Sequence, residues 1–288
     1  MPSAPRYAML YATASRKWLA KLEQWAEKKP ISAALYEFFW FGVKQAWACL
    51  FAGLMVGLII ATHFFYPAQA PIARYDFIFL SGFLIQILML FFKLETFDEA
   101  KVIFIYHVTG TIMEVFKTSA GSWEYPEASI FHIGGVPLFS GFMYASIGSY
   151  IARSARVFHF RYTNHPPLWV IFLLGSAVYI NFFSHHFIPD LRIALFIATG
   201  LAFWRTRIYF KVWRTYRHMP MLLSLVLATL FVWIAENIGT LTKTWLYPHQ
   251  HAGWTMVSFG KYGSWLLLLI VSYALVSIVN KPKQFKEI

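Results

Sequence analysis

The sequence has little charge, and what it has is short of acid: Asp, Glu, Lys and Arg make up 13% of 288 residues, with 25 basic side chains against 13 acidic ones. With 58% hydrophobic residues and a mean hydropathy of +0.52, it has too little polar surface to clothe a water-soluble domain. Cysteine is almost missing. The single Cys49 excludes an intrachain disulfide and any multi-cysteine metal site, and is read as a packing residue. The first 30 residues lack the apolar core of a signal peptide, so the first transmembrane segment is expected to direct its own insertion. No Gly-x-x-x-x-Gly-Lys loop, dinucleotide fingerprint, nucleophile elbow or aspartate-rich diphosphate motif occurs, which disfavours phosphoryl transfer and prenyl-diphosphate chemistry.

What the chain does have is long apolar runs. Crossing ~30 Å of hydrocarbon takes about 20 apolar residues, and eight segments read as spans: 46–66, 75–92, 102–118, 136–152, 167–187, 191–207, 221–241 and 263–279. The third carries His107 and Glu114, and the sixth is interrupted by Arg205. The expected fold class is therefore all-α, a polytopic membrane bundle of about eight transmembrane helices. A net charge of +12 could point to nucleic acid, but the distribution of the cations fits a bilayer instead. With the N-terminus inside, the outer side keeps only Arg74, Lys117, Arg192, Lys243 and Lys261 of the 25 Lys and Arg residues. That asymmetry places both termini in the cytoplasm, and no nucleic-acid partner is expected. In residues 15–29, Trp18, Leu19, Leu22, Trp25 and Ala26 share one helical face flanked by Lys17, Lys21 and Lys28, the pattern of an interfacial anchor.

The chain also repeats itself. Gly53, His63, Phe65 and Pro67 recur 122 residues later as Gly175, His185, Phe187 and Pro189. Gly82 and Lys93 recur as Gly200 and Lys211 at an offset of 118. Glu114, Thr118, Trp123, Tyr125 and Pro126 recur as Glu236, Thr240, Trp245, Tyr247 and Pro248, again at 122, and Gly141, Ser149 and Tyr150 correspond to Ser264, Ser272 and Tyr273. An ordered series at one offset reads as a duplication of a four-helix unit. An even number of spans per unit makes the copies parallel, about an axis along the membrane normal, with equivalent residues at equal depth. The expected organisation is a cytoplasmic segment at 1–33 with the interfacial helix, repeats at 34–157 and 158–280, and a basic cytoplasmic tail at 281–288.

Glu114 and Glu236 fall in the outer halves of the third and seventh spans. A charged carboxylate near the bilayer centre costs ~3 kcal/mol, so such residues face the bundle interior. On helical spacing His107, Thr111, Glu114 and Thr118 form one stripe, and Thr229, Trp233, Glu236 and Thr240 its counterpart. A carboxyl in apolar surroundings can hold a proton and act as an acid, or it can anchor neighbouring loops by hydrogen bonds. The Trp-x-Tyr-Pro segments follow at interfacial depth, where they anchor the protein or line a pocket whose ring faces stabilise a cation on a bound hydrocarbon. Six of ten histidines, His63, His132, His185, His186, His249 and His251, map to the outer side. Imidazoles with carboxylates suit zinc or iron, but no His-x-x-His or His-Glu-x-x-His spacing occurs. They are read as interfacial, and no metal or other cofactor is expected.

The segments Phe41-Gly42-Val43-Lys44-Gln45-Ala46, Gly121-Ser122-Trp123-Glu124-Tyr125-Pro126-Glu127, Gly135-Val136-Pro137-Leu138-Phe139-Ser140-Gly141-Phe142-Met143-Tyr144 and Ala235-Glu236-Asn237-Ile238-Gly239-Thr240 resemble the YoaT-like family of bacterial membrane proteins, over nearly the whole chain. That family is a domain of unknown function, so the resemblance implies a bacterial inner membrane and is silent about activity. A second likeness, carried only by Glu114, Trp123 and Tyr125 and by Glu236, Trp245 and Tyr247, is to the membrane lycopene cyclases and carotenoid hydratases.

These readings lead to a membrane enzyme or binding protein for an isoprenoid or similar apolar lipid. Glu114, Glu236 and His107 would be its acid–base or orienting groups, and Trp123, Tyr125, Trp245, Tyr247, His63, His185 and Asn237 would contact the ligand. The alternatives are a small-molecule or ion transporter, and a structural or assembly protein. The expected partners are the bilayer and an apolar lipid; the sequence does not fix the oligomeric state.

Overall fold

The computed structural model describes residues 13–285. Residues 1–12 and 286–288, and the side chains of residues 13–17, lie outside the described residues, so the start of the expected anchor and the end of the basic tail do too. Among the described residues the fold is mostly helical, with 67% helix in ten α-helices. They are α1 (Thr13–Glu27), α2 (Pro30–Ala48), α3 (Leu50–Phe65), α4 (Arg74–Phe91), α5 (Phe97–Ser119), α6 (Phe139–Val157), α7 (Leu168–Ser184), α8 (Arg192–Phe203), α9 (Met221–Leu241) and α10 (Phe259–Val279).

Each expected span overlaps one of the helices α3 to α10, but eight spans are not supported. Among the described residues three helices, α4, α9 and α10, are long and apolar enough to cross a membrane; α2 and α3, bent by 68° at their junction, raise this to four if taken as one broken span. The shortfall has physical causes. Helices α7 and α8 have only 17 and 12 residues, so α8 rises about 18 Å. Helix α5 carries Asp98, Glu99, Lys101, Glu114 and Lys117. The outward faces nevertheless require an apolar surround: Phe104, Leu173, Leu201 and Phe231 are 70%, 63%, 71% and 69% exposed, on four different helices. Water-soluble proteins do not present apolar surface on this scale, so the chain is a membrane protein.

The chain is not purely helical. Strands β1 (His132–Ile133) and β2 (Val136–Pro137) form a short hairpin. Strands β3 (Arg161–Thr163), β4 (Arg207–Lys211) and β5 (Tyr216–Pro220) form an antiparallel sheet in the order β3-β4-β5. Arg207-Ile208-Tyr209-Phe210-Lys211 alternates polar and apolar side chains at the two-residue period of a strand, which the expected span 191–207 overran. The C-terminal tail adds to β3: Tyr162 N–H donates to the Lys283 carbonyl and Phe285 N–H to that of Tyr162. Helix α1 docks on the β4–β5 turn, where Trp213 Nε1 donates to Glu23 at 2.7 Å and Arg214 pairs with Glu27. Both ends of the described chain thus meet at one pole, the sheet pole. Trp18 and Trp25 of α1 stay exposed, while Ala26 is buried.

Helices α6 and α10 form the core and pack on each other. Helix α6 also packs on α3, α4 and α5, and α10 on α7, α8 and α9. Close to the sheet pole, Glu95 and Arg153 form a fully buried ion pair at 3.5 Å, with Gln86 (2.5 Å) and Ser149 (3.1 Å) donating to the same carboxylate. Such a pair needs its extra hydrogen bonds to offset desolvation.

Candidate functional site

At the opposite pole, α5 and α9 end in the same way. After Ala120 the chain turns through Gly121 at φ 69, and after Thr242 through Lys243 at φ 53. In each case the next amide reaches back to the last turn, Ser122 N–H to the Lys117 carbonyl and Thr244 N–H to that of Gly239, both at 2.9 Å. This left-handed closure satisfies orphan helix carbonyls and reverses the chain. A Trp nine residues after each Glu is thereby returned to the carboxylate it has just passed.

Glu114 accepts three hydrogen bonds: Trp123 Nε1 (2.7 Å) and Tyr125 Oη (2.7 Å) donate to Oε2, and Tyr144 Oη (2.8 Å) donates to Oε1. Trp245 Nε1 donates to Oε1 of Glu236 at 3.1 Å, and Tyr247 Oη donates to the same oxygen. Among the described residues no donor reaches Glu236 Oε2. Both carboxylates are buried, 4% and 6% exposed. Burial, and the carboxylate each faces, pushes the Tyr125 and Tyr247 phenols well above their ordinary range, so both remain donors. The two loops are joined by a pair of backbone hydrogen bonds between Glu124 and Leu246, at 2.9 and 3.0 Å.

Both carboxylates face a single cavity of about 1010 Å³, at the top of the usual 300–1,000 Å³ range for small-molecule sites. It runs beside α6 from Ser140 to Phe158, about 27 Å of helix rise. Toward the sheet pole its walls are apolar, with Phe41, Val56, Ile147, Phe210 and Leu227 among them. Trp123, Tyr125, Trp245, Tyr247 and His185 line its carboxylate end.

Other expected site residues lie elsewhere. His107 is one stripe with Glu114 but does not line the cavity; its ring lies over Gly141, where a Cβ would come within 2.5 Å, packs on Phe142 at 4.7 Å, and its Nδ1 has no partner. His63 is exposed beside Phe64. Asn237 holds a loop instead of a ligand, accepting from Val257 N–H at 2.9 Å and donating to the Trp233 carbonyl at 2.8 Å. The ring faces expected to meet a ligand cation already have one: the Lys261 ammonium lies 4.7 Å from the Trp123 ring centre and 4.4 Å from that of Tyr247. His185 and His186 meet Lys117 Nζ at 3.2 and 2.7 Å. No cluster of three or more His, Cys, Asp or Glu able to hold a metal occurs among the described residues. Sequence reasoning missed Tyr144, Lys117, Arg192 and Lys261, all of which line the cavity. The available signal was the scarcity of outer cations: three of the five converge here.

Fold and site together define a helical membrane protein whose core holds an apolar cavity headed by two hydrogen-bonded carboxylates. The chain belongs to the DUF817 family: the family model described as "Protein of unknown function (DUF817)" matches residues 37–273. It is 39% identical over 251 residues to "Uncharacterized protein YoaT" of Bacillus subtilis (strain 168), covering 87% of this chain and 94% of that protein. No solved structure matches. These comparisons do not show the likeness to carotenoid end-group enzymes.

Proposed function

We propose that the protein binds a long apolar lipid of the isoprenoid type inside the bilayer of a bacterial inner membrane, with both termini cytoplasmic. The observation that carries this reading is one membrane-depth apolar cavity headed by both buried carboxylates. We read the bundle as two parallel copies of a four-helix unit, α3–α6 and α7–α10. In support, α6 and α10 take equivalent places among their neighbours, and both Glu-x8-Trp-x-Tyr segments close on their carboxylate through the same left-handed turn.

Within this reading the carboxylates orient the aromatic loops first. An oxygen engaged by donors is held as an acceptor, which opposes its use as an acid. Glu236 keeps one oxygen free of donors, so an acid–base step on the lipid would run through it. Mass spectrometry of lipids retained by the full-length protein after gentle extraction tests the proposal. A long-chain isoprenoid in about one-to-one amount is the expected result; no retained chain lipid contradicts it. The cavity also reaches both poles, as a transport path would, so uptake of solute into proteoliposomes without change to any lipid would favour transport.

A further inference from the structure

The cationic rim of the cavity identifies the kind of lipid. Lys117, Arg192 and Lys261 line the carboxylate end of a space that is otherwise mostly apolar. Lys117 and Arg192 belong to one network. Lys117 Nζ contacts His185, whose Nδ1 lies 2.8 Å from the Asn181 carbonyl. Asn181 Nδ2 donates to Asp190 at 3.2 Å, and Asp190 pairs with Arg192 at 2.5 Å. Arg192 then donates to Ser264 Oγ at 3.3 Å, one turn beyond Lys261 on α10.

The cations at this end are not paired one for one. Arg192 has Asp190, but among the described residues neither Lys117 nor Lys261 forms an ion pair. Lys117 is 5% exposed and sits on two histidines and the Phe182 ring, at 4.4 Å. Lys261 rests on aromatic faces. Glu114 and Glu236 are near enough to attract Lys261, yet their hydrogen bonds come from Trp and Tyr side chains. A buried ammonium group and a half-buried one, neither with a contacting counter-ion, are costly unless an anion completes the site. Ser140 adds a polar group at the same end: it is 2% exposed, and among the described residues its hydroxyl has no hydrogen-bond partner.

We propose that the cavity takes an anionic amphiphile, its phosphate or carboxylate headgroup held by Lys117, Lys261 and Arg192 and its long chain laid along α6 toward the sheet pole. This rests on the lipid-cavity reading and narrows it from an apolar lipid to an acidic one. The headgroup would displace no existing ion pair. A neutral lipid would leave both lysines without a contacting anion.

Calorimetric titration of the full-length protein in a nonionic detergent tests the inference, using dodecyl phosphate, dodecanol and inorganic phosphate as probes. Dodecyl phosphate should bind about tenfold or more tighter than dodecanol, and inorganic phosphate far more weakly than either. Lys261→Met and Lys117→Met should each weaken dodecyl phosphate by about tenfold and leave dodecanol unchanged. Lys243→Met, at an exposed outer lysine off the cavity, should change neither. Should Lys117→Met fail to fold, Lys261→Met alone decides. Equal binding of dodecyl phosphate and dodecanol overturns the anionic headgroup and spares the lipid cavity. Inorganic phosphate binding as tightly as dodecyl phosphate overturns the amphiphile. Binding of neither chain compound contradicts the lipid cavity itself.

Discussion

Two carboxylates with the same sequence surroundings sit at the head of one cavity, and they are not equivalent. Glu114 spends both oxygens on three donors, whereas Glu236 gathers its two donors on Oε1 and leaves Oε2 without one. The difference traces to a single position. Tyr144 on α6 supplies the third donor, and Leu267, three residues past Ser264 as Tyr144 is three past Gly141, has none to give. A second difference lies one turn after each Glu, where the first segment has Lys117 and the second Gly239. The Trp245 ring fills the space at Gly239, 2.0 Å from where a Cβ would stand. The first carboxylate is thus closed around its own loops, and the second is open to whatever enters. One pattern can carry a structural copy and a working copy.

The largest effect expected is on stability at the closed site. Glu114→Leu strands three donors, Trp123 buried and Tyr125 and Tyr144 half-buried, at a cost of about 1–3 kcal/mol each, less than additively, and should unfold the protein in detergent or lower its Tm most of all the variants. Glu236→Leu strands two, so its loss should be clearly smaller; equal losses would break the distinction. Gly239→Ala comes next, costing about 1–3 kcal/mol by forcing the Trp245 ring away, as thermal unfolding would record. Tyr144→Phe removes one donor and should cost about 1 kcal/mol while giving Glu114 the open oxygen that Glu236 has. The smallest effect reverses sign. Lys243 holds a left-handed backbone that Gly121 adopts without steric penalty, so Lys243→Gly should stabilise by about 1 kcal/mol.

The sequence made the helices legible because hydropathy records burial in lipid directly, and every expected span overlaps a helix. It misplaced their limits where other forces end a helix. The expected span 191–207 runs past the end of α8 at Phe203, through Arg205 to Arg207, where the chain pairs with β3 and β5. The carboxylates and their aromatic partners were legible because the pattern recurs. Tyr144, Lys117 and Lys261 were not, because a search for sameness passes over the positions where two similar segments differ, and those are where this site acquires its asymmetry. His107 shows a different limit. A helical stripe gives direction but not reach: His107 is seven residues before Glu114, about 10 Å away along the axis, and packs on Gly141 outside the cavity.

The account stands on the cavity being a lipid's place, and filling it is the most direct trial. Ala228 on α9 lines the apolar part, away from both carboxylate networks. Native mass spectrometry of the intact protein should show one bound chain lipid in the wild type and none in Ala228→Trp, with the two proteins equally folded by circular dichroism. The same lipid retained by both proteins, or by neither, would contradict it.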